Sequence, residues 1–469
     1  MIKGFQFVFF VIEHKQQNKN NQSQGHINVS HIEHREMNDN KVDVLLGLQW
    51  GDEGKGKVVD FLSEKYDVIA RFHGGANAGH TLKIGNMTHV LHLIPSGIFH
   101  SDKLNIIGSG VVIDPYIFKH ECDDLHNLSV KFEDRLLIAK RAHLILPTHR
   151  MLDAVYESSK GANKIGSTLK GIGPAYTDKV ARLGLRVGDI KDEAFQSKYE
   201  ALKKQHLDIA KSYGFDCCSF RIDNMTLEEY EKEWLAAIEY LKTLQLIDCE
   251  CYINHLLDEG KTVLAEGAQG TMLDVDFGTY PFVTSSSSIS SGVCLGLGVP
   301  PNRIGKIYGI AKAYCTRVGA GPFPTEQDNE TGEMLRLKGG EYGATTGRPR
   351  RCGWIDLVQL KYSIMINGVT DLIITKPDVL NQFDTIKACT SYYLYGKQLV
   401  DYPYSLMLDG LIPHYDEIEG WKSDLSAAGG YMGLPKNFKN YLSFIENYLK
   451  TKINVISVGP DRKETIFIE

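Results

Sequence analysis

From Lys41 onward, short apolar runs alternate with longer segments of helical spacing, the arrangement expected of an α/β fold. Strands are predicted over Val42–Leu46, Asp67–Arg71, Leu104–Ile107, Leu136–Ala139, Thr262–Ala265, Ile307–Ala311, Asp371–Thr375 and Asn454–Val458. Several of these runs are apolar at consecutive rather than alternate positions, so both faces should be covered, as in a parallel sheet. Amphipathic spacing predicts helices over His149–Ser159, Asp192–Tyr213, Thr226–Leu246, Ile355–Ile366 and Asn437–Lys450. Thr226 and Glu229 have the spacing of a capping box. The helical pair from 192 to 246 carries no block of catalytic character and reads as a peripheral insertion. The expectation is a single large α/β domain over 41–469, with a mainly parallel central sheet flanked by helices.

The first 36 residues break this pattern. Phe5–Ile12 is apolar but too short to cross a bilayer, and it lacks a small-residue cleavage site. The Asn-, Gln- and His-rich text that follows cannot bury enough apolar surface to order itself. Residues 1–36 therefore read as a disordered extension, with Met37 a candidate start. Over the whole chain, 43% hydrophobic and 23% charged residues are ordinary for a soluble protein, and a membrane partner is not expected. A net charge of −6 without a long basic stretch argues against a nucleic-acid partner. Nine scattered cysteines, an odd number, suggest reduced thiols and a cytoplasmic location.

The strongest chemical signal follows the first strand: Gly47-Leu-Gln-Trp-Gly-Asp-Glu-Gly-Lys-Gly-Lys-Val-Val-Asp60. It predicts a strand, a glycine-rich phosphate loop and the start of a helix, whose N–H groups and positive end suit an anion. From Gly51 it fits Gly-x-x-x-x-Gly-Lys, but Val58 stands where a P-loop has the hydroxyl that helps to hold Mg²⁺. Asp52 is the candidate replacement, because carboxylate oxygen suits a hard cation. Lys55 is the candidate contact to a transferred phosphate. A second small-residue loop, Gly74 to Thr81, ends on His80, an imidazole suited to moving a proton near neutral pH. A third, Ile165 to Pro174, reads as an anion loop. Gly343 to Arg351 combines small residues, hydroxyls and guanidinium groups, a clamp for a dicarboxylate. Thr375-Lys-Pro-Asp378 ends a strand; a carboxylate there can accept from guanine N1–H and the N2 amine, which adenine does not offer.

Taken together, these blocks resemble the adenylosuccinate synthetase family, from about Val42 to the C-terminus. The resemblance implies a P-loop NTPase-like fold and a GTP-dependent ligation of L-aspartate to IMP through 6-phosphoryl-IMP, the first committed step toward AMP. It implies that Asp52 takes the N1 proton, that His80 hydrogen-bonds O6 as the acid, and that Asp52 and the Gly79 carbonyl hold Mg²⁺. GTP would be met by Gly51, Asp52, Glu53, Gly54, Lys55, Gly56, Lys57, Gly79, His80, Thr81, Arg350, Lys376, Pro377, Asp378, Ser457, Val458 and Gly459. IMP would be met by Asp52, Glu53, Gly54, Lys55, Asn77, Ala78, Gly79, His80, Thr168, Arg182, Gln269, Thr284 and Arg348. Ala344, Thr345, Thr346, Gly347, Arg348, Pro349 and Arg350 would hold L-aspartate. Arg182 would reach the neighbouring active site of a homodimer. Ser167, Lys170, Phe277, Pro349 and Pro377 depart from the residues common in the family. A plain P-loop NTPase or GTP switch predicts Ser or Thr after Lys57 and needs no second anion site. An inactive scaffold would be expected to lose Asp52 or His80.

Overall fold

The computed structural model describes residues 40–84, 87–161, 164–343, 347–404, 410–459, 461 and 463–468. The expected extension over 1–36 lies outside them. Ten strands form the main sheet: β1 (Val42–Gly47), β2 (Val68–Arg71), β3 (Leu104–Ile107), β4 (Leu136–Ala139), β5 (Gln245–Ile247), β6 (Val263–Glu266), β7 (Ile304–Lys312), β8 (Asp371–Thr375), β9 (Ile453–Ser457) and β10 (Thr465–Phe467). Their spatial order is β10-β9-β8-β7-β1-β6-β2-β3-β4-β5, and every pairing is parallel except β9 with β10.

β1 lies in the middle, and its consecutive apolar residues serve two faces. Val42, Val44 and Leu46 join one core cluster, while Leu45 joins another with Val58, Val59 and Leu62 of helix α1 (Lys55–Leu62). This double burial is why the strand lacks the alternation of a half-exposed sheet. The capping box forms: Glu229 N donates to Thr226 Oγ1 at 3.1 Å and Thr226 N donates to Glu229 Oε2 at 2.8 Å. That helix runs Leu227–Lys242, shorter than the Thr226–Leu246 expectation, because Gln245–Ile247 extends the sheet beside β4 instead. Helices Phe195–Ser212 and Leu227–Lys242 pack on Pro115–Asn127 and Pro147–Ser159, with Trp234 fully buried among them. No helix among the described residues is long and apolar enough to cross a membrane.

Candidate active site

The loops after β1, β2, β6, β7 and β8 meet in a cleft of about 620 Å³ at the C-terminal edge of the sheet, where open parallel sheets bind ligands. The loop after β1 is shaped from inside. Buried Glu53 accepts from Gln49 N at 3.1 Å and Gly51 N at 2.9 Å, and from Lys55 Nζ at 2.5 Å. Its side chain therefore supports the loop from within, which leaves its main chain as the part placed to meet a ligand. Gly54 caps α1 at φ 89°, and no side chain covers the helix's first N–H groups, which leaves them for an anion. A Cβ on Gly56 would lie 3.2 Å from that of His80, so its absence lets α1 seat against the strand His80–Ile84. Asp52 (φ 59°) and His80 consequently line one cleft, together with Lys55, Asn77, Gly79 and Thr81.

His80 is 5% exposed. Its Nδ1 lies 2.5 Å from Glu266 Oε1 at the end of β6, and Glu266 also accepts from Ser96 N at 2.8 Å and Ser96 Oγ at 2.7 Å. Nε2 is buried without a partner among the described residues. Burial, aided by the Arg71 charge and opposed by Glu266, lowers the imidazole to about 4. At neutral pH the ring is uncharged, Nδ1–H donates to Glu266, and Nε2 is left bare. A proton gained at Nε2 would find its counter-charge already in place.

Asp52 Oδ2 lies 2.7 Å from Arg350 Nε, and Arg350 Nη1 lies 2.7 Å from buried Glu341. Sequence reasoning found neither Glu266 nor Glu341 as functional. A signal existed for Glu266 (an acid closing a buried apolar run); none existed for Glu341. Arg348, Gly347 and Pro349 are exposed and are not among the cleft-lining residues, while Ala344, Thr345 and Thr346 lie outside the described residues.

Gln269 and Thr284 also line the cleft, and buried Gln269 Oε1 has no protein partner among the described residues. The loop read as a third anion site is partly occupied by its own protein. Glu157 accepts from Gly166 N at 2.5 Å and Ser167 N at 3.2 Å, and Asp153 accepts from Ser167 Oγ at 2.6 Å. Exposed Thr168 remains as its ligand-facing group. Arg182, at the exposed end of helix Ile172–Ala181, does not line its own chain's cleft.

On the other flank, Asp378 Oδ1 is buried and unpartnered among the described residues, and burial raises its carboxyl to about 6. Lys376 lines the cleft and Pro377 is buried beside it. Ser457 pairs with Thr375 across β8 and β9, which brings Ser457, Val458 and Gly459 alongside. Lys57, expected among the residues that meet GTP, is not one of the cleft-lining residues. Its Nζ donates to Ser457 Oγ (2.7 Å), Gly459 O (2.6 Å) and Glu464 O (3.2 Å), using all three protons. Burial lowers that amine to about 8. Lys57 thus braces the base-side wall.

The one metal-type side-chain cluster among the described residues, His149, Asp178 and His206, lies elsewhere. Leu146 N donates to His149 Nδ1, which fixes Nε2–H toward Asp178, so the group is satisfied as a hydrogen-bonded network.

A profile of the adenylosuccinate synthetase family matches residues 44–466. The adenylosuccinate synthetase of Phocaeicola vulgatus is 58% identical over 426 residues, covering 91% of this chain and 98% of the relative. That of Christiangramia forsetii is 54% identical over 91% of this chain and 99% of its own. The fully ligated adenylosuccinate synthetase of Plasmodium falciparum superposes with a TM-score of 0.85 at 39% identity, over 92% of this chain and all of that one (100%). A cyanophage succinoaminodeoxyadenylate synthetase shares the fold, with a TM-score of 0.57 at 19% identity over 91% of this chain and 95% of the other.

Proposed function

The chain belongs to the adenylosuccinate synthetase family, and from that membership and the cleft we infer that it joins L-aspartate to IMP at the expense of GTP, releasing adenylosuccinate, GDP and phosphate. The observation that carries this reading is the convergence of Asp52 and His80, from two separate loops, on one cleft, with His80 Nε2 left without a partner among the described residues. A ring carbonyl oxygen is a poor leaving group, so an amine cannot displace it directly. Asp52 removes the N1 proton of the purine, and His80 serves O6 as a donor once Nε2 carries a proton, whose charge Glu266 balances. O6 then attacks the γ-phosphorus of GTP and GDP departs. The amine of L-aspartate attacks C6 of the 6-phosphoryl-IMP, loses a proton, and phosphate leaves. Lys55 and the uncapped amides of α1 position and neutralise the transferring group.

Mg²⁺ suits this donor set. Asp52 is a cleft-facing carboxylate that already takes a positive partner, Arg350, and the Gly79 carbonyl is a second hard oxygen. When bound, the ion neutralises charge on the phosphates of GTP. Asp378 accepts from guanine and Lys376 packs on the ring, while Ser457 to Gly459, braced by Lys57, close the pocket. Asn77, Thr168, Gln269 and Thr284 hold IMP, and the loop ending at Arg350 grips the aspartate carboxylates. Arg182 stands exposed between Val180 (81% exposed) and Leu183 (44%), an apolar setting that fits a homodimer in which it reaches the partner's IMP phosphate. All nine cysteines are free thiols, which suits the cytosol.

Incubation with IMP, L-aspartate, Mg²⁺ and GTP, followed by ultraviolet absorbance as the purine gains its amine, tests the reading. Product should require every substrate. GTP hydrolysis that proceeds without IMP and aspartate would instead mark a simple nucleotidase.

A further inference from the structure

Glu341 is fully buried at the base of the arginine-rich loop, and the reaction derived above does not use it. Its Oε1 accepts from Tyr314 Oη at 2.6 Å, Lys376 Nζ at 2.8 Å and Lys312 Nζ at 3.0 Å; its Oε2 accepts from Arg350 Nη1 at 2.7 Å. Its carbonyl accepts from Arg350 N at 2.9 Å, so main chain and side chain together pin the two ends of the loop. The three cations serve different parts of the cleft. Lys376 stands on the guanine wall. Arg350 ends the aspartate loop and also pairs with Asp52. Lys312, at the end of β7, donates its amide to Gln49 Oε1 at 3.0 Å and so abuts the phosphate loop.

Three positive groups converge on one fully buried anion, two of them (Lys312 and Arg350) largely shielded from water, where charges interact more strongly than at a surface. Without the carboxylate they would repel one another, and Lys312, 1% exposed, would have no anion in contact. Although burial opposes it, the charges of Lys312, Lys376 and Arg350 keep Glu341 ionised. We propose that Glu341 is a positioning residue that couples GTP binding to L-aspartate binding, because one carboxylate fixes both the guanine-side lysine and the aspartate-side arginine. The proposal rests on the functional reading above and adds to it a link between the residues that meet two different substrates.

Glu341→Gln keeps the shape and an oxygen acceptor but removes the charge, and KM for each substrate is measured in the same assay. KM for GTP and for L-aspartate should each rise at least tenfold, while KM for IMP stays within twofold. Glu341→Asp, which retains the charge on a shorter arm, should give a smaller rise confined to the same two values. That variant decides alone, by the same pattern, if the glutamine form does not fold. A uniform rise in all three KM values, a fall in kcat alone, or unchanged kinetics with a lower melting temperature would each reduce Glu341 to a structural residue and overturn the proposal. A wild-type protein that makes no adenylosuccinate would instead defeat the functional reading, and the coupling with it.

Discussion

Replacing Glu266 with glutamine probes the imidazole with almost no change of shape. The wild-type carboxylate faces His80 Nδ1 at 2.5 Å and is anchored by two hydrogen bonds from Ser96, so the geometry has little freedom to relax. Glutamine can still accept from Nδ1–H, but it offers no charge to balance a proton arriving at Nε2. A hydrogen bond to a charged partner is worth about 1.5–3 kcal/mol net. Each 1.36 kcal/mol on the barrier is about a factor of ten. The value of kcat should therefore fall about 10- to 150-fold, with KM for L-aspartate little altered because that substrate is held elsewhere. Glu266 is also what raises the His80 pKa against burial, so its loss moves any His80-dependent limb of the pH–rate profile to lower pH. Steady-state kinetics across the accessible pH range, with thermal melting to verify the fold, make the measurement. A Glu266→Gln enzyme within threefold of wild type, melting normally, would refute the idea that this carboxylate balances charge on the ring.

Asp378 offers a second handle. Burial raises its carboxyl to about 6, and only the ionised form accepts two hydrogen bonds from guanine. The ionised fraction falls as pH drops through that value, so KM for GTP at pH 5 should be about tenfold that at pH 8, with KM for IMP flat. A flat KM for GTP over that range would refute the assignment. Subunit mixing tests the shared site: Asp52→Ala and Arg182→Ala should each be inactive, yet a randomised mixture should regain about a quarter of wild-type activity, since half the dimers are mixed and each carries one intact site. No recovery would place Arg182 outside the partner's site.

The sheet was legible where burial is symmetrical. β3, β4 and β8 coincide with their expected spans, and β1, β2, β6, β7 and β9 differ by a few end residues, because apolar side chains on both faces leave an unmistakable run. The edge strand β5 was not. Gln245–Ile247 is only partly buried, and it continues the amphipathic spacing of the preceding helix, so local pattern favoured more helix while pairing with β4 made strand. Helix Pro115–Asn127 carries a readable start, Asp114 capping Tyr116 N beside Pro115, and was passed over for want of a long periodic stretch. That Asp52, Lys55 and His80 would line a cleft was legible because close-packed glycines announce a ligand. Glu341 was not, since its partners at 312, 314 and 376 adjoin it only in three dimensions. The protein partners of the Glu53 and Lys57 side chains were hidden for the same reason, since Ser457, Gly459 and the folded loop come together only in three dimensions.

The loops that meet the two nucleotides all leave one edge of a rigid parallel sheet, from β9 at the guanine end to β2 at the purine end. Five strand spacings separate those limits, about 24 Å at roughly 4.8 Å each. The sheet is in effect a ruler: it meters the reach from a base held at one end to a phosphoryl acceptor held at the other. On the proposed reading, the separation of the base pocket from the reacting oxygen therefore belongs to the backbone ladder of the sheet rather than to any single side chain.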